Sequence, residues 1–236
     1  MVLTNRHLKN AIPKTTVSHI SELVLLGVGS PFVVEFEETC SRLGTVITAY
    51  IKNNDDPAYA SDARKIVDVD HLTTALISKP VAFPLVTPAY RKNVFDLALT
   101  VGFTSFPSLV DPTTILAAST QLGRGVFVNA GCTIGAAGII GDFVLINRHA
   151  SLAHHFTISD FASVGPGVVV AGQVQIGRGA FIGAGAVLLP KVRVGANAIV
   201  AAGTVVTSDV ADNTLVAGNP GKVKKTDIPG YNNSGV

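Results

Sequence analysis

Three of the six histidines in this 236-residue chain fall within seven residues of one another. His149, His154 and His155 sit in the stretch INRHASLAHHFTIS, from Ile146 to Ser159. Imidazole is suited to three tasks: ligating a metal, taking a proton as a general base, or facing solvent. The Val, Ile, Ala and Gly around these residues do not choose among the three. The scaffold that carries them has to.

That scaffold is written in a period of six. From Val110 to Val206 every sixth residue is Val, Ile or Leu, seventeen in succession with no slip of register. Four residues after each comes a small or apolar side chain: Val126, Cys132, Gly138, Val144, Ala150, Ala162, Ala180 and Ala186, with Phe156 the bulky exception. Neither a helix nor a two-faced strand has this period. Short strands joined by tight corners, three to a coil of a parallel β-helix, do. Coils stacked at strand spacing, roughly 4.8 Å, make a prism roughly 27 Å tall. Only the first and fifth positions of each hexad then point inward. His154 is third in its hexad, and His149 and His155 are fourth in theirs, so all three face outward or sit at a corner. One coil is eighteen residues long. Gly172 therefore stacks on His154, with its backbone N–H about one strand spacing, roughly 4.8 Å, away.

Before the prism the pattern is β-α-β-α-β-α. ELVLLGVG (Glu22 to Gly29) reads as a buried strand, then Ser30 as an N-cap and Pro31 as a first-turn residue of a helix ended by Gly44. Strands over TVITAYI, KIVDVD and PVAFPLV alternate with helices over HLTTALIS and PAYRKNVFDLALTVG. This predicts a Rossmann-like α/β domain over residues 22–106 and a β-helix over 107–225. Loosely held arms are expected at 1–21 and 226–236.

Composition excludes several classes. The chain is 47% hydrophobic and 14% charged, which argues against disorder. No run of eighteen apolar residues predicts a membrane span, and the N-terminal stretch has no apolar core of a secretory signal. Cys40 and Cys132 are too few for a disulfide framework, so a cytoplasmic protein with reduced thiols is expected. A net charge of +2 does not argue for nucleic acid.

The hexads, the closing segment NTLVAGNPGKVKK and the preceding α/β domain together resemble the left-handed β-helix sugar acetyltransferases. That family includes sialic-acid O-acetyltransferases and the nucleotide-amino-sugar N-acetyltransferases of bacillosamine-type pathways. The resemblance implies the left-handed winding, acetyl-CoA as co-substrate without a metal, and a homotrimer with sites between chains. It also implies an amino or hydroxyl group of a sugar, nucleotide-linked in many members, as acceptor. In the family an Ile-Asn followed by a histidine carries the catalytic base, and His154 and Asn147 match those positions. An acidic neighbour usual in the family is replaced here by Ala153 and His155. A further pocket position, often histidine, is Ser163.

Acetyl transfer from a thioester needs a base, a donor for the developing oxyanion and a held acceptor. The resemblance assigns these to His154, to the Gly172 amide and to the α/β domain. His155 is left with three readings: orienting the base, touching the acceptor, or facing solvent. Arg148 suits an acceptor phosphate or carboxylate, although a surface arginine explains it too. Lys191, Arg193, Lys222, Lys224 and Lys225 suit the phosphates of coenzyme A, and a solvated face explains them equally. In the nucleotide-sugar members a glycine-rich loop after the first strand holds the phosphates. Here it reads Gly27-Val28-Gly29-Ser30-Pro31, and Pro31 lacks a donor N–H. Gly27, Gly29, Ser30 and Lys52 are the acceptor-binding candidates. Two rivals remain: a prism metalloenzyme of the carbonic anhydrase type, prompted by the five-residue spacing of His149 and His154, and a silent assembly scaffold. The first lacks a third histidine near Thr113 and Thr114.

Overall fold

The computed structural model describes residues 19–236. The N-terminal arm therefore lies outside the described residues except for its last three. The α/β unit holds β1 (Glu22–Leu26), α1 (Val33–Leu43), β2 (Val46–Lys52), β3 (Ile66–Asp68), α2 (Thr74–Ile77), β4 (Val81–Ala82) and α3 (Pro88–Val101). Its sheet is parallel, in the order β3-β2-β1-β4. The strand order reverses at β1, so a crevice opens beyond the carboxyl ends of β1 and β4.

Local physics adjusts three sequence expectations. Regular helix begins at Val33, yet Ser30 still caps the entry: its Oγ accepts the Phe32 N–H at 3.2 Å, and tight i→i+3 bonds lead into α1. The strand expected over PVAFPLV shrinks to two residues because Pro84 has no ladder donor and the chain turns where Leu85 N–H meets the Phe83 carbonyl. The helix over HLTTALIS is a single turn, capped by Thr73.

From Leu109 each hexad forms a two-residue strand, β5 (Leu109–Val110) through β21 (Val205–Val206). Three parallel sheets result, pairing residues eighteen apart, as Leu145 does with Ser163 and Ser151 with Val169. First and fifth hexad positions fill one continuous core. Phe156 fits there because Gly138, one coil below, has no side chain: a Cβ on Gly138 would stand 2.2 Å from the Phe156 ring. The last coil is shorter, with Ile199 on Leu215, and β22 (Leu215–Ala217) and β23 (Lys222–Lys225) close the prism as an antiparallel pair.

The two units share their cores. The outward residues of the eight-stranded sheet, Leu109, Phe127 and Leu145, are buried beneath α1, and Phe36 stacks on Phe127 at 3.8 Å. Phe143 and Phe161, at one prism edge, pack with Phe83, Phe95 and Phe106. Arg91 of α3 is wholly buried without a carboxylate. Its guanidinium donates to the carbonyls of Phe143, Leu85, Val86, Phe161 and Ala162 and to Ser163 Oγ. Burial alone pulls its pKa down to about 9.

The C-terminal residues are not a loose arm. Tyr231 stacks on Phe181 at 3.6 Å, Asn232 donates to Thr87 Oγ1 at 3.0 Å, and the Val236 N–H reaches Asn197 Oδ1 at 2.9 Å. The tail straps the prism to the α/β unit. Sequence gave no sign of this because every partner lies far along the chain.

Arg91→Met is expected to lower the unfolding free energy by about 3 kcal/mol or more, since it leaves several buried carbonyls without donors. Denaturant unfolding measures it.

Candidate functional site

Two cavities and one prism edge hold the candidate residues. The first cavity, of about 540 Å³, lies in the crevice beyond the sheet. Gly27, Gly29 and Ser30 line it after β1, as do Asn53, Asn54 and Asp56 after β2, and Thr87, Tyr90 and Asn93 at α3. Lys52 does not: it ends β2 in register with Asp68, and the next residues, Asn53 and Asn54, reach the cavity instead. The 3₁₀ entry to α1 consumes the N–H groups of Phe32, Val33, Val34 and Glu35, so this helix start offers few free donors.

The second cavity, of about 430 Å³, runs along the edge between the eight- and six-stranded sheets and shares Val86 with the first. Its wall is apolar apart from Asn147, Ser163 and Tyr231. Ser163, expected to line the acceptor pocket, is not free for a ligand: its hydroxyl is buried, donates to the Val86 carbonyl at 2.6 Å and accepts from Arg91, so it holds the two units together. Arg148 is likewise committed. It pairs with Glu35 of α1 at 3.1 Å, and Glu35 also accepts from Asn129, which donates in turn to Asn147 Oδ1.

The third place is the edge between the six- and five-stranded sheets. His154 and His155 are exposed there, with Nδ1 facing Nδ1 at 3.0 Å and rings nearly perpendicular at 83°. His155 takes a left-handed backbone, φ 56°, which forms the corner. Gly172 lies over the His154 ring: a Cβ there would come within 2.8 Å of Cε1 and 3.0 Å of Nε2. Among the described residues no acceptor takes the Gly172 N–H, while its carbonyl accepts from Lys191, in the His155 column two coils on. Lys222 is exposed on β23, at the far end of the eight-stranded sheet.

The structure does not join all of these within one chain. Asn147, Arg148 and His149 occupy one prism edge and His154 the next, with a face of the six-stranded sheet between them. His149 lies over Gly131, away from His154. No group of three metal-ligating side chains occurs among the described residues. Burial pushes the thiols of Cys40 and Cys132 up to about 12 and about 11, which makes them poor nucleophiles. No helix among the described residues is long and apolar enough to cross a membrane. The sequence reading missed Asn54, Asp56, Thr87, Tyr90, Asn93 and Tyr231. Only the polar run after β2 gave a local hint.

A hexad prism with an imidazole under a bare amide, fused to a crevice-bearing α/β unit, defines an acyltransferase scaffold. Residues 173–208 match the family described as bacterial transferase hexapeptide (six repeats). No curated protein matches the sequence. Among solved structures, the chain is similar to perosamine N-acetyltransferase of Caulobacter crescentus, as a histidine-substituted form in complex with CoA and GDP-perosamine. That match has 30% identity and a TM-score of 0.80, covering 87% of this chain and 98% of that one. The acetyltransferase domain of PglB from Neisseria gonorrhoeae, in complex with acetyl coenzyme A, matches in fold at 23% identity and a TM-score of 0.77, covering 87% and 100%. WeeI from Acinetobacter baumannii does so at 20% and 0.72, covering 86% and 100%. The chain belongs to the left-handed β-helix sugar acetyltransferases and is an acyltransferase.

Gly172→Ala is expected to cut turnover by roughly 10²-fold or more by displacing the His154 ring and crowding the amide. Because that ring is exposed and its one side-chain hydrogen bond is to the equally exposed His155, stability should change by about 0.5 kcal/mol or less. Paired kinetics and thermal melts distinguish the two effects.

Proposed function

We propose that the chain transfers the acetyl group of acetyl-CoA to an amino or hydroxyl group of a nucleotide-linked sugar, an amine being the better supported. The placement of His154 beneath the bare Gly172 amide carries this reading. The relative crystallised with CoA and GDP-perosamine supports the substrate class. The nucleotide is assigned to the 540 Å³ cavity and the sugar to the neighbouring 430 Å³ cavity, which meet at Val86.

In this reading His154 Nε2 takes the proton from the acceptor amine as nitrogen attacks the thioester carbonyl. The Gly172 N–H donates to the oxygen that becomes negative. His154 then returns the proton to the departing thiolate, and acetamide and free thiol result. No cysteine intermediate is needed, in keeping with the two buried thiols. Lys191 and Lys222 are the candidates for the coenzyme's phosphates, with Lys191 on the edge that also carries His154.

We further propose a homotrimer. The face between the Asn147 and His154 edges presents Ile115, Thr133, Ser151, Val169, Val187 and Val205, a row without a single charge. Ile115 is 70% exposed and Val169 42%. Packing such faces around a threefold axis brings the His154 edge of one chain to the Asn147 edge and cavities of its neighbour.

Two experiments test these proposals. His154→Gln should lower acetyl-CoA-dependent thiol release with amino-sugar nucleotides by roughly 10²–10⁴-fold and leave melting unchanged. Turnover at the wild-type rate would remove His154 from the chemistry. Val169→Asp should convert the trimer to folded monomers without activity, read by light scattering. An active monomer would dismiss the shared site.

A further inference from the structure

We infer that His155 is a positioning residue that selects which ring nitrogen of His154 carries the proton, so that base and partner form a neutral imidazole pair where a carboxylate is usual. This rests on the reading of His154 as base.

The geometry leaves few choices. With Nδ1 facing Nδ1 at 3.0 Å, one nitrogen must carry a hydrogen and the other must not. In one arrangement His154 donates through Nδ1. Its Nε2 is then a bare lone pair, fit to take a proton, and His155 carries its own hydrogen on Nε2. In the other arrangement His155 donates, and His154 Nε2 is already protonated and useless as a base. An amine or hydroxyl donating to His154 Nε2, in the space opened by Gly172, favours the first. Acceptor binding and tautomer selection are thereby linked.

A third proton on the pair fills both Nε2 positions and the shared Nδ1 site, whichever ring is assigned the charge. One proton taken up by the pair as a whole therefore silences the base. No charged side chain stands beside the pair to bias this uptake in either direction. In the same corner column lie Ala136 and Ala137 below and Gly172 and Gln173 above. The flanking strands present Ser151, Val169, Thr157 and Gln175. Charged groups in the column come only at Lys191, two coils on, and Asp209 beyond it. Across the proposed trimer contact the facing charges would be Arg148 and Glu35, already paired with each other, with exposed His149 the titratable group beside them. No carboxylate among the described residues forms an ion pair with either ring. The left-handed φ of 56° at His155 is one that Asn, Asp and Gly adopt readily, so substitutions there are conformationally tolerated.

The test combines spectra and pH profiles on the intact enzyme. With ¹⁵N-labelled histidine and a bound acceptor or its unreactive analogue, His154 should show a protonated Nδ1 and a bare Nε2, and His155 the reverse. His155→Asp should move the acidic limb of kcat upward by roughly one pH unit, because a carboxylate favours the imidazolium and a higher pH is then needed to free the base. His155→Asn, which offers an acceptor that does not titrate, should keep kcat within about threefold of wild type. His155→Gly should lower kcat by roughly tenfold at unchanged KM, well short of the 10²–10⁴-fold lost with the base itself. Wild-type kcat and acidic limb in both the Asp and Gly variants, or the opposite tautomers in the spectra, would overturn the inference while leaving His154 as base. Full activity in His154→Gln would instead overturn the functional reading beneath it.

Discussion

The in-register stacking of eighteen-residue coils is the constraint on which the rest of this molecule depends. Each strand is too short to stand alone, and each gains its pairing from the same position one coil away. Buried aliphatic residues fix where the chain turns, so a residue's place in its hexad fixes its direction. The register is intolerant. A single inserted residue would move every later core side chain outward, and Phe156 shows how narrow the allowance is: it is accommodated only against a glycine one coil below. The same register that fills the core places His154 under Gly172.

A second constraint couples this prism to the α/β unit. Burying an arginine without an anion is costly, and the structure offsets the cost with six polar acceptors drawn from both units. The phenylalanine cluster and the tail strap add apolar burial to the same junction. As a result Val86 stands at a fixed point between the two cavities.

How much of this was legible in the sequence follows from the range of the interactions. The seventeen hexad positions became seventeen strands because the period is local and repeated. The Rossmann-like order was visible in the alternation of apolar runs and amphipathic segments. Ser163 and the tail were read differently from what the structure shows, and the Glu35 partner of the surface residue Arg148 was not foreseen. Their partners, Arg91, Glu35 and Phe181, lie far away in sequence and carry no periodic signal. The separation of Asn147 from His154 is a further case. Seven residues apart they look adjacent, yet slightly more than one hexad carries the chain around a corner of a triangle.

The open amide at Gly172 follows from the same geometry. The third residue of a hexad has its N–H directed away from the ladder, and at five such positions a side chain caps it. Asn129 and Asn147 cap Ala130 and Arg148 from the preceding position. Asp142 and Asp160 cap Arg124 and Asp142 from one coil above, and Asp212 caps Ala196. At Gly172 the preceding residue is Ala171 and the residue one coil above is Pro190, neither of which has a side-chain acceptor. The sequence thus withholds a cap where an imidazole lies below, and a hydrogen-bond donor is left facing space that a small acyl oxygen can enter. Other third positions, Ala118 and Ala184 among them, also lack a cap, and what sets Gly172 apart from these two is the imidazole that lies against it.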